Sequence, residues 1–222
     1  MSRFATQAAW LAGCGIAVPA YRIVTSLAEA RAVAGALRHP LVAKPVPESA
    51  EHKTELGLVH LRLRDDADLE RAVADIHAKI PGAPVLVQEM IDDVVEVLLA
   101  VREDPDFGPI AAIGTGGVMV ELLEDVSYLA LPCSAEEFRD ALRELRISRL
   151  LAGFRGQAPR DVDALAHAAS RLGDAYIAAR DRISEIEINP LGVRRIGAGV
   201  IALDILEVLR PSVDGVNQHA PR

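Results

Sequence analysis

Four apolar segments lie close together in the middle of the chain, and their spacing restricts the fold more than any other feature of the sequence. They cover residues 95–104, 108–114, 117–126 and 128–132, and turn sequences such as DPDFG and TGG join them. Short strands separated by such turns are typical of an antiparallel meander. We therefore expect an antiparallel sheet in the second half of the chain.

Helical and strand-like patterns on both sides of these segments predict an α+β fold with two lobes. Helices are expected where a polar residue precedes an amphipathic pattern, over residues 27–38, 65–80, 134–145, 147–152 and 161–179. Further strands are expected over residues 40–46, 57–64, 84–91, 183–193 and 199–209, and a turn followed by a short strand is expected over residues 15–24. The predicted domains are an N-terminal helix (1–14), a first lobe (15–88), a second lobe (89–210) and a loose tail (211–222).

The composition argues against a protein that binds nucleic acid or spans a membrane. The 222 residues carry a formal net charge of −8, which disfavours a nucleic-acid-binding surface. No apolar run reaches the roughly 18–20 residues of a membrane helix. Cys14 and Cys133 stand in unrelated sequence contexts, so we expect reduced thiols and a cytoplasmic protein.

The first residues allow two interpretations. The sequence LAGC at 11–14 resembles a lipoprotein cleavage site, but the apolar run before it is short and is interrupted by Thr6 and Gln7. A signal peptide needs an apolar region of roughly 7–15 residues. We therefore favour a short helix that begins at Ser2 and ends near Gly13.

Two carboxylates and an amide lie on the two predicted strands at the end of the chain. Glu187 is two residues before Asn189 and therefore projects from the same face of its strand, and Asp204 stands on the adjacent strand. Such an oxygen-only set suits Mg²⁺, which uses one or two carboxylates together with phosphate oxygens and waters. The alternative is an ordinary polar outer face of the sheet.

Other positions suggest contacts with a phosphate or a nucleotide, and each has a simpler alternative. Lys44 lies in an apolar strand, so it either faces a phosphate or extends to the surface. Glu89 and Glu96 flank a link between the lobes, where nucleotides often bind, or they are exposed acids on a loop. Arg155 either binds a phosphate or marks a helix end. The glycine-rich segment 114–117 offers backbone N–H groups to an anion or forms a tight hairpin turn, which fits the bare pattern better.

The connection between the strands predicted over 40–46 and 57–64 contains His52 next to Lys53. It is longer than a hairpin turn, which has about two to five residues. By itself the segment SAEHKTELGLV, residues 49–59, is typical of a solvated loop.

In their order along the chain, these segments resemble the ATP-grasp subunit of the NDP-forming acyl-CoA synthetases, in particular the beta subunit of acetate–CoA ligase (ADP-forming). Succinyl-CoA synthetase beta is a more distant relative. The resemblance covers residues 4–209 and depends on REDPDFGP followed by the glycine turn and VELLEDV, on LLAGFRG, and on EINPL near the end. It implies the ATP-grasp fold, with the nucleotide in the cleft between two lobes.

The resemblance implies an acid–thiol ligase that makes an acyl-CoA from a carboxylate, CoA and ATP, and that releases ADP and phosphate. His52 resembles the histidine of a swinging loop that carries phosphate between a CoA-binding subunit and the nucleotide. Neutral imidazole can accept a phosphoryl group without first losing a proton. The sequence has no segment like the CoA-binding domains of the family, so we expect a CoA-binding alpha-type partner in an α₂β₂ heterotetramer or a similar complex.

The resemblance also implies roles for the remaining site residues, with ATP or ADP and Mg²⁺ as cofactors. Asn189 and Asp204 match the two Mg²⁺ ligands, and Glu187 matches the acid that positions a phosphorylated imidazole. Arg155 would offset charge on the transferring oxygens. The nucleotide contacts are expected at Lys44 for phosphate, at Glu89, Met90 and Ile91 for adenine, and at Glu96 for ribose.

The loop around His52 departs from the family pattern. Glu55 and Leu58 stand where the family has aspartate and glycine, and Pro45 and Pro47 are added at the base of the loop. Prolines there would stiffen the base of a swinging loop. A non-catalytic nucleotide-binding regulatory module therefore stays open as an alternative. An ATP-grasp carboxylate–amine ligase is a third interpretation, against which the intact HKT sequence argues.

Overall fold

The computed structural model describes residues 2–46 and 57–210, except the side chain of Ala34. Several helices begin after a residue whose side chain accepts a hydrogen bond from the first turn. These capping residues are Ser26, Asp65, Ser134 and Asp161, and Ser134 forms a reciprocal capping box with Glu137. The helices are α1 Arg3–Gly13, α2 Leu27–Ala34, α3 Asp66–Lys79, α4 Val120–Leu123, α5 Ala135–Glu144, α6 Ser148–Leu151 and α7 Val162–Ala179.

The described strands belong to two sheets. Their bounds are β1 Ile16–Ala17, β2 Tyr21–Val24, β3 Leu41–Pro45, β4 His60–Leu63, β5 Val85–Glu89, β6 Val95–Asp104, β7 Gly108–Thr115, β8 Val126–Ala130, β9 Ile183–Val193, β10 Val200–Ala202 and β11 Leu206–Leu209. One sheet has the order β2-β5-β3-β4. The other has the order β1-β10-β9-β6-β7-β8, and β11 also pairs with β9.

Two compact units make up the described chain. Unit 1 comprises the described residues of Met1–Ala9 and Val18–Asp93. Its sheet is antiparallel, and α2 and α3 pack against it. Aliphatic side chains such as Leu41, Ile76 and Val87, each 0% exposed, fill the space between the helices and the sheet. Burial of this apolar surface is the main force that holds the unit together.

Unit 2 comprises the described residues of Trp10–Ala17 and Val94–Arg222. The antiparallel neighbours β6, β7 and β8 are followed by β9, which pairs with β6 along its length and with β10 and β11 at its two ends. α7 packs against this sheet, and α5 packs against α7. Phe138 and Tyr176 are buried there, and the Tyr176 hydroxyl donates a hydrogen bond to the Ser184 carbonyl oxygen at 2.9 Å.

The structure corrects one predicted strand and divides another. The prediction of a strand over 117–126 is wrong, because the chain forms a 3₁₀ turn at Gly117–Met119 and then α4. Gly117 has φ +66°, which lies outside the β region. The strand predicted over 199–209 is two strands, since β10 and β11 pair with opposite ends of β9 and residues 203–205 between them belong to no strand.

The division into units differs from the predicted subdomains in where it cuts the chain. The units change between Asp93 and Val94, and α1 is shared between them. The subdomain boundaries near residues 14 and 88 stay predictions, and the predicted tail over 211–222 lies outside the described residues. Within residues 2–46 and 57–210, no helix combines the length and the apolar content that crossing a membrane requires.

Candidate functional site

Strand β9 presents the polar face that the sequence predicts. Ile186 and Ile188 are 2% and 0% exposed, whereas Glu187 and Asn189 are half-buried. Because successive side chains of a strand point to opposite faces, the two buried isoleucines fix Glu187 and Asn189 on one face. The strand therefore holds a carboxylate and an amide side by side.

Asp204 lies close enough to this face to act electrostatically on Glu187. Burial raises the pKa of Glu187, a hydrogen bond with the Asn189 side chain lowers it, and the negative charges of Glu185 and Asp204 raise it further. The net result is a pKa above the ordinary value of a glutamate. Carboxylates crowded in this way favour either a proton or a cation between them. The structure thus brings Glu187, Asn189 and Asp204 together, as predicted.

The glycine turn between β7 and α4 fixes the orientation of the Asn189 amide. The backbone N–H of Gly117 donates a hydrogen bond of 2.8 Å to Asn189 Oδ1. A backbone N–H can donate only to the amide oxygen, and the Glu187 carboxylate can accept only from the amide nitrogen. Both contacts therefore select the same orientation. This N–H of the turn serves Asn189, so it is not offered to an anion.

Glu96 packs against the same turn. Its backbone carbonyl accepts a hydrogen bond from Gly116 N–H at 3.0 Å. A Cβ atom at Gly117 would overlap the Glu96 carboxylate, so a side chain at that position would have to displace the Glu96 side chain. Glu96, predicted on the ribose side of a nucleotide, is therefore placed by the same turn that orients Asn189.

Asp125 joins the glycine turn to the loop between α5 and α6. The residue is 8% exposed, and its carboxylate accepts hydrogen bonds from Thr115 Oγ1 at 2.9 Å, Arg146 N–H at 2.9 Å and Ile147 N–H at 3.0 Å. Burial raises the pKa of Asp125, but these hydrogen bonds outweigh burial and hold the pKa below the ordinary value of an aspartate. Two of these partners of Asp125, at positions 146 and 147, are distant in sequence from the glycine turn, so no local pattern predicts them.

Arg155 lies on an exposed turn after α6, with φ +51°. Its guanidinium stacks over the Phe154 ring at 5.3 Å from the ring centroid. In the part of the chain that the structure describes, Arg155 joins none of the contacts around Asn189. Its predicted catalytic role therefore stays a prediction.

The donor set around Asn189 fits a hard cation in its chemistry. It offers two carboxylates, Glu187 and Asp204, and one amide oxygen, which are ligand types that Mg²⁺ prefers. Among residues 2–46 and 57–210, no group of three or more His, Cys, Asp or Glu side chains is arranged to hold a metal ion. A Mg²⁺ ion here would therefore depend on the amide oxygen and on oxygens from outside the chain, such as those of a phosphate.

Lys44 in unit 1 is 4% exposed. It lies near the end of β3, which pairs with β4 on one side and β5 on the other. Such burial argues against the alternative in which the side chain extends into open solvent. A buried ammonium group requires polar or anionic partners. Contact with a phosphate remains the predicted role.

Glu89 is held within unit 1 at the end of β5. Its Oε1 accepts a hydrogen bond from Arg38 N–H at 3.0 Å and lies 3.6 Å from Arg38 Nε. The next backbone N–H, that of Met90, donates to the Pro40 carbonyl oxygen at 2.9 Å. The predicted adenine hinge is thus anchored to the loop before β3. The sequence could not reveal Arg38, because it lies 51 positions before Glu89.

His52 lies outside the described residues, as do Pro47 and Glu55. The structure does describe Leu58, which replaces a glycine of the family loop. Leu58 is 0% exposed and belongs to the core of unit 1. The departure at this position therefore has a packing role, and it anchors the chain directly after the segment that contains His52.

Comparison with known families gives one match over most of the chain. The model of the ATP-grasp domain family matches residues 4–208. All the candidate site residues, from Lys44 to Asp204, lie within this match.

Similar proteins include two curated ligases. The chain is 34% identical over 194 residues to acetate–CoA ligase (ADP-forming) I of Archaeoglobus fulgidus, a match that covers 84% of this chain and 28% of that protein. It is 32% identical over 184 residues to subunit beta of acetate–CoA ligase (ADP-forming) I of Pyrococcus furiosus, covering 80% of this chain and 79% of that subunit. The chain thus spans about a quarter of the first relative and most of the second.

The fold is also similar to a solved structure of dinucleotide-forming acetyl-coenzyme A synthetase 1 from Candidatus Korarchaeum cryptofilum. The TM-score is 0.76 at 32% sequence identity, and the match covers 92% of this chain and 91% of that chain. That structure contains coenzyme A and Mg-AMPPCP, and its phosphohistidine segment points towards the nucleotide binding site.

Proposed function

The chain belongs to the ATP-grasp domain family and, within it, to the beta subunits and equivalent domains of the ADP-forming acetate–CoA ligases, and from this premise we propose that it is the nucleotide-binding part of an ADP-forming acyl-CoA synthetase. The whole reaction converts a carboxylate, CoA and ATP into an acyl-CoA, ADP and phosphate. One observation carries the proposal: Glu187 and Asn189 share one face of β9, and Asp204 acts electrostatically on Glu187, within the region that matches the family.

The proposed roles follow the chemistry of each side chain. Asn189 and Asp204 would hold Mg²⁺, which neutralises charge on the phosphate oxygens when it is bound. Glu187, whose pKa lies above the ordinary value, would hold a proton or accept a hydrogen bond beside a phosphorylated imidazole. Arg155 would offset charge on the transferring phosphoryl group.

The nucleotide contacts follow from the anchored hinge. Met90 N–H is already used by Pro40, so adenine would meet the Met90 carbonyl oxygen and the backbone of Ile91. Glu89 would support the hinge through its contact with Arg38, Lys44 would contact a phosphate, and Glu96 would accept hydrogen bonds from the ribose hydroxyls.

His52 would carry phosphate between the nucleotide and a partner. An imidazole nitrogen would form a bond to phosphorus as the bond from phosphorus to the leaving oxygen breaks, and the reverse transfer to ADP would restore ATP. We propose a CoA-binding alpha-type partner in a hetero-oligomer, because the Pyrococcus relative is a beta subunit and the Archaeoglobus relative is about three times longer than the match.

Nucleotide binding by the chain alone is the first test. ADP is titrated into the protein by calorimetry, once with Mg²⁺ and once with EDTA. We expect Mg²⁺ to tighten binding and Asn189→Ala or Asp204→Ala to remove that gain, by roughly tenfold or more, which is about 1.4 kcal/mol. Asp181→Ala, at an exposed carboxylate after α7, is the matched control. A wild-type protein that binds ADP no more tightly with Mg²⁺ would rule out the proposed site.

Phosphate transfer is the second test. The chain, a CoA-binding alpha subunit of an ADP-forming acetate–CoA ligase, ATP and Mg²⁺ are mixed, and acid-labile phosphate on His52 is measured by mass spectrometry. His52→Ala should lose both this phosphate and the synthesis of acyl-CoA. Full turnover by His52→Ala would remove the carrier role.

A non-catalytic nucleotide-binding module is the second candidate, and the burial of Leu58 favours it. A side chain that is 0% exposed fixes the chain directly after the His52 segment, where the family has glycine. Such a module would bind Mg²⁺ and nucleotide but would leave His52 without phosphate in the transfer experiment, so the same two measurements separate the candidates.

A further inference from the structure

Asp125 and Thr115 have no ligand or catalytic role in the proposed function, yet their contacts lead directly to two candidate site residues. We propose that Asp125 is a positioning residue, which acts through Thr115 and the glycine turn to orient Asn189 and Glu96 and thereby sets how strongly Mg²⁺ tightens nucleotide binding. The proposal rests on the proposed function, because the effect is transmitted through a residue that we assign to the metal.

The first step runs from Asp125 to the start of the turn. Thr115 is bound twice, since its backbone N–H donates to the Asp125 carbonyl oxygen at 2.9 Å and its hydroxyl donates to the Asp125 carboxylate at 2.9 Å. The same carboxylate accepts the N–H groups of Arg146 and Ile147. Removing this buried acceptor would leave three donors unsatisfied, so the carboxylate holds the turn to the α5–α6 loop.

The second step is the close packing of the turn itself. A Cβ atom at Gly114 would overlap the Asp125 carbonyl oxygen, and one at Gly116 would overlap the Val97 backbone. Gly116 N–H also donates to the Glu96 carbonyl oxygen at 3.0 Å. Because the turn is in contact on both sides, a shift at Asp125 cannot be absorbed locally and must move the backbone next to Glu96.

The third step is the hydrogen bond from Gly117 to Asn189. The donor meets one lone pair of Asn189 Oδ1 at 2.8 Å, and a carbonyl oxygen has a second lone pair for a cation. If the turn relaxes, only the hydrogen bond with the Glu187 carboxylate still opposes rotation of the amide, and a rotated NH₂ group would point where Oδ1 is needed. Asp125 would therefore control the metal ligand without touching the metal.

A matched control exists in the same unit. Asp161, like Asp125, accepts three hydrogen bonds, and in Asp161 all three come from backbone N–H groups, those of Ala164 at 3.2 Å, Gly197 at 2.9 Å and Gly199 at 3.0 Å. It caps α7 and the β9–β10 hairpin and does not contact the glycine turn. Asp161→Ala should therefore cost stability much as Asp125→Ala does, while leaving Asn189 in place.

The experiment compares the full-length wild type, Asp125→Ala, Asp125→Asn, Thr115→Val and Asp161→Ala. ADP affinity is measured by calorimetry with Mg²⁺ and with EDTA, thermal unfolding is recorded, and amide hydrogen exchange is followed for the peptide that contains Gly117. We expect Asp125→Ala to reduce the Mg²⁺-dependent gain by roughly tenfold, to weaken ADP affinity in EDTA by a smaller factor because Glu96 shifts as well, and to speed exchange at Gly117. Asp125→Asn, which keeps one acceptor oxygen, should recover part of the gain.

The outcomes separate this proposal from the proposed function. If Asp125→Ala and Asp161→Ala alter the Mg²⁺-dependent gain equally, or if neither alters it, the positioning role is overturned, while loss of the gain in Asn189→Ala keeps the proposed function. A wild type without Mg²⁺-dependent binding overturns both. If Asp125→Ala fails to fold, Asp125→Asn and Thr115→Val provide the test. If both variants keep the full Mg²⁺-dependent gain in ADP affinity, the proposal is overturned.

Discussion

Two glycine-containing turns of unit 2 look alike in sequence and differ in what surrounds them. In the turn 114–117, Gly117 donates to Asn189, and a Cβ atom at Gly117 would displace the Glu96 carboxylate. In the turn 153–156, nothing lies within 4 Å of a Cβ atom at Gly156. Both Gly117 and Gly156 have positive φ, +66° and +84°. A glycine can therefore be required because neighbouring atoms crowd the position of a side chain, or because of its backbone angle alone. Only in the first case does a substitution displace neighbouring residues.

The comparison also separates two predicted site regions. The first turn is built into the cluster of Glu96, Glu187, Asn189 and Asp204. The second turn presents Arg155 to solvent beside an exposed Phe154. We therefore expect a substitution in the first turn to alter both stability and ligand binding. A substitution in the second turn should alter mainly stability or mainly ligand binding, but not both.

The largest effect is expected for Gly117→Ala. The new methyl group must displace the Glu96 carboxylate or the turn, and a positive φ is also sterically unfavourable for alanine. We expect a loss of about 3 kcal/mol in the free energy of unfolding, together with the loss of Mg²⁺-dependent ADP binding. Urea unfolding and calorimetry measure the two effects. A stable variant with normal Mg²⁺ dependence would show that the close contact with Glu96 is not structural.

The next largest effect is expected for the pH dependence of stability, through the Asp125 carboxylate that holds the first turn. Since the pKa of Asp125 lies below its ordinary value in the folded state, its stabilising contribution is complete above about pH 4 and is lost as the pH falls through the lowered pKa. The difference in free energy of unfolding between wild type and Asp125→Asn should therefore be largest near neutral pH. It should narrow below pH 4 by at most about 1.4 kcal/mol per pH unit. Parallel curves from urea unfolding between pH 7 and pH 3 would contradict this assignment.

Gly156→Ala tests the open turn and should have a smaller effect. The methyl group meets no atom, so only the backbone angle opposes it. We expect a loss of about 1 kcal/mol in the free energy of unfolding and no change in Mg²⁺-dependent ADP binding. If Gly156→Ala instead weakens ADP binding as Gly117→Ala does, the two turns are not functionally distinct.

Arg155→Ala should have the smallest effect on stability. Its side chain is exposed and stacks on Phe154, so the free energy of unfolding should stay within about 0.5 kcal/mol of wild type. If Arg155 offsets charge during phosphoryl transfer, phosphate on His52 should form at least roughly tenfold more slowly. Arg149→Ala, at an exposed arginine of α6, is the control. Equal transfer rates for the two variants would remove Arg155 from the site.

Much of the fold could be predicted because local patterns report it. Strand β6 has the predicted bounds, Val95–Asp104, and β9 has the predicted bounds, Ile183–Val193. Helices α3, α5 and α7 each begin one residue after the predicted start, at residues 66, 135 and 162. The predicted α+β ATP-grasp fold is confirmed by the family match over residues 4–208 and by the Korarchaeum structure.

The segment 117–126 shows why the rest could not be predicted. Its valines and leucines favour a strand in isolation. In the folded chain, however, Gly117 takes a left-handed angle, Val118 and Leu122 are 87% and 73% exposed, and the segment forms a 3₁₀ turn and α4. Contacts with Asn189 and the α5–α6 loop, which are distant in sequence, override the local preference.

The sequence by itself determined the elements that depend on neighbours a few positions apart: the alternation that sets Glu187 and Asn189 on one face, the polar caps of the helices, and the motifs that identify the family. Only the tertiary structure decided which way the Asn189 amide faces, that Glu89 is held by Arg38, and that Asp125 joins the glycine turn to the α5–α6 loop. The physical reason is the separation along the sequence over which each interaction acts. Periodicity and capping act within one turn or one strand, whereas a buried donor takes whichever acceptor the packed chain brings to it.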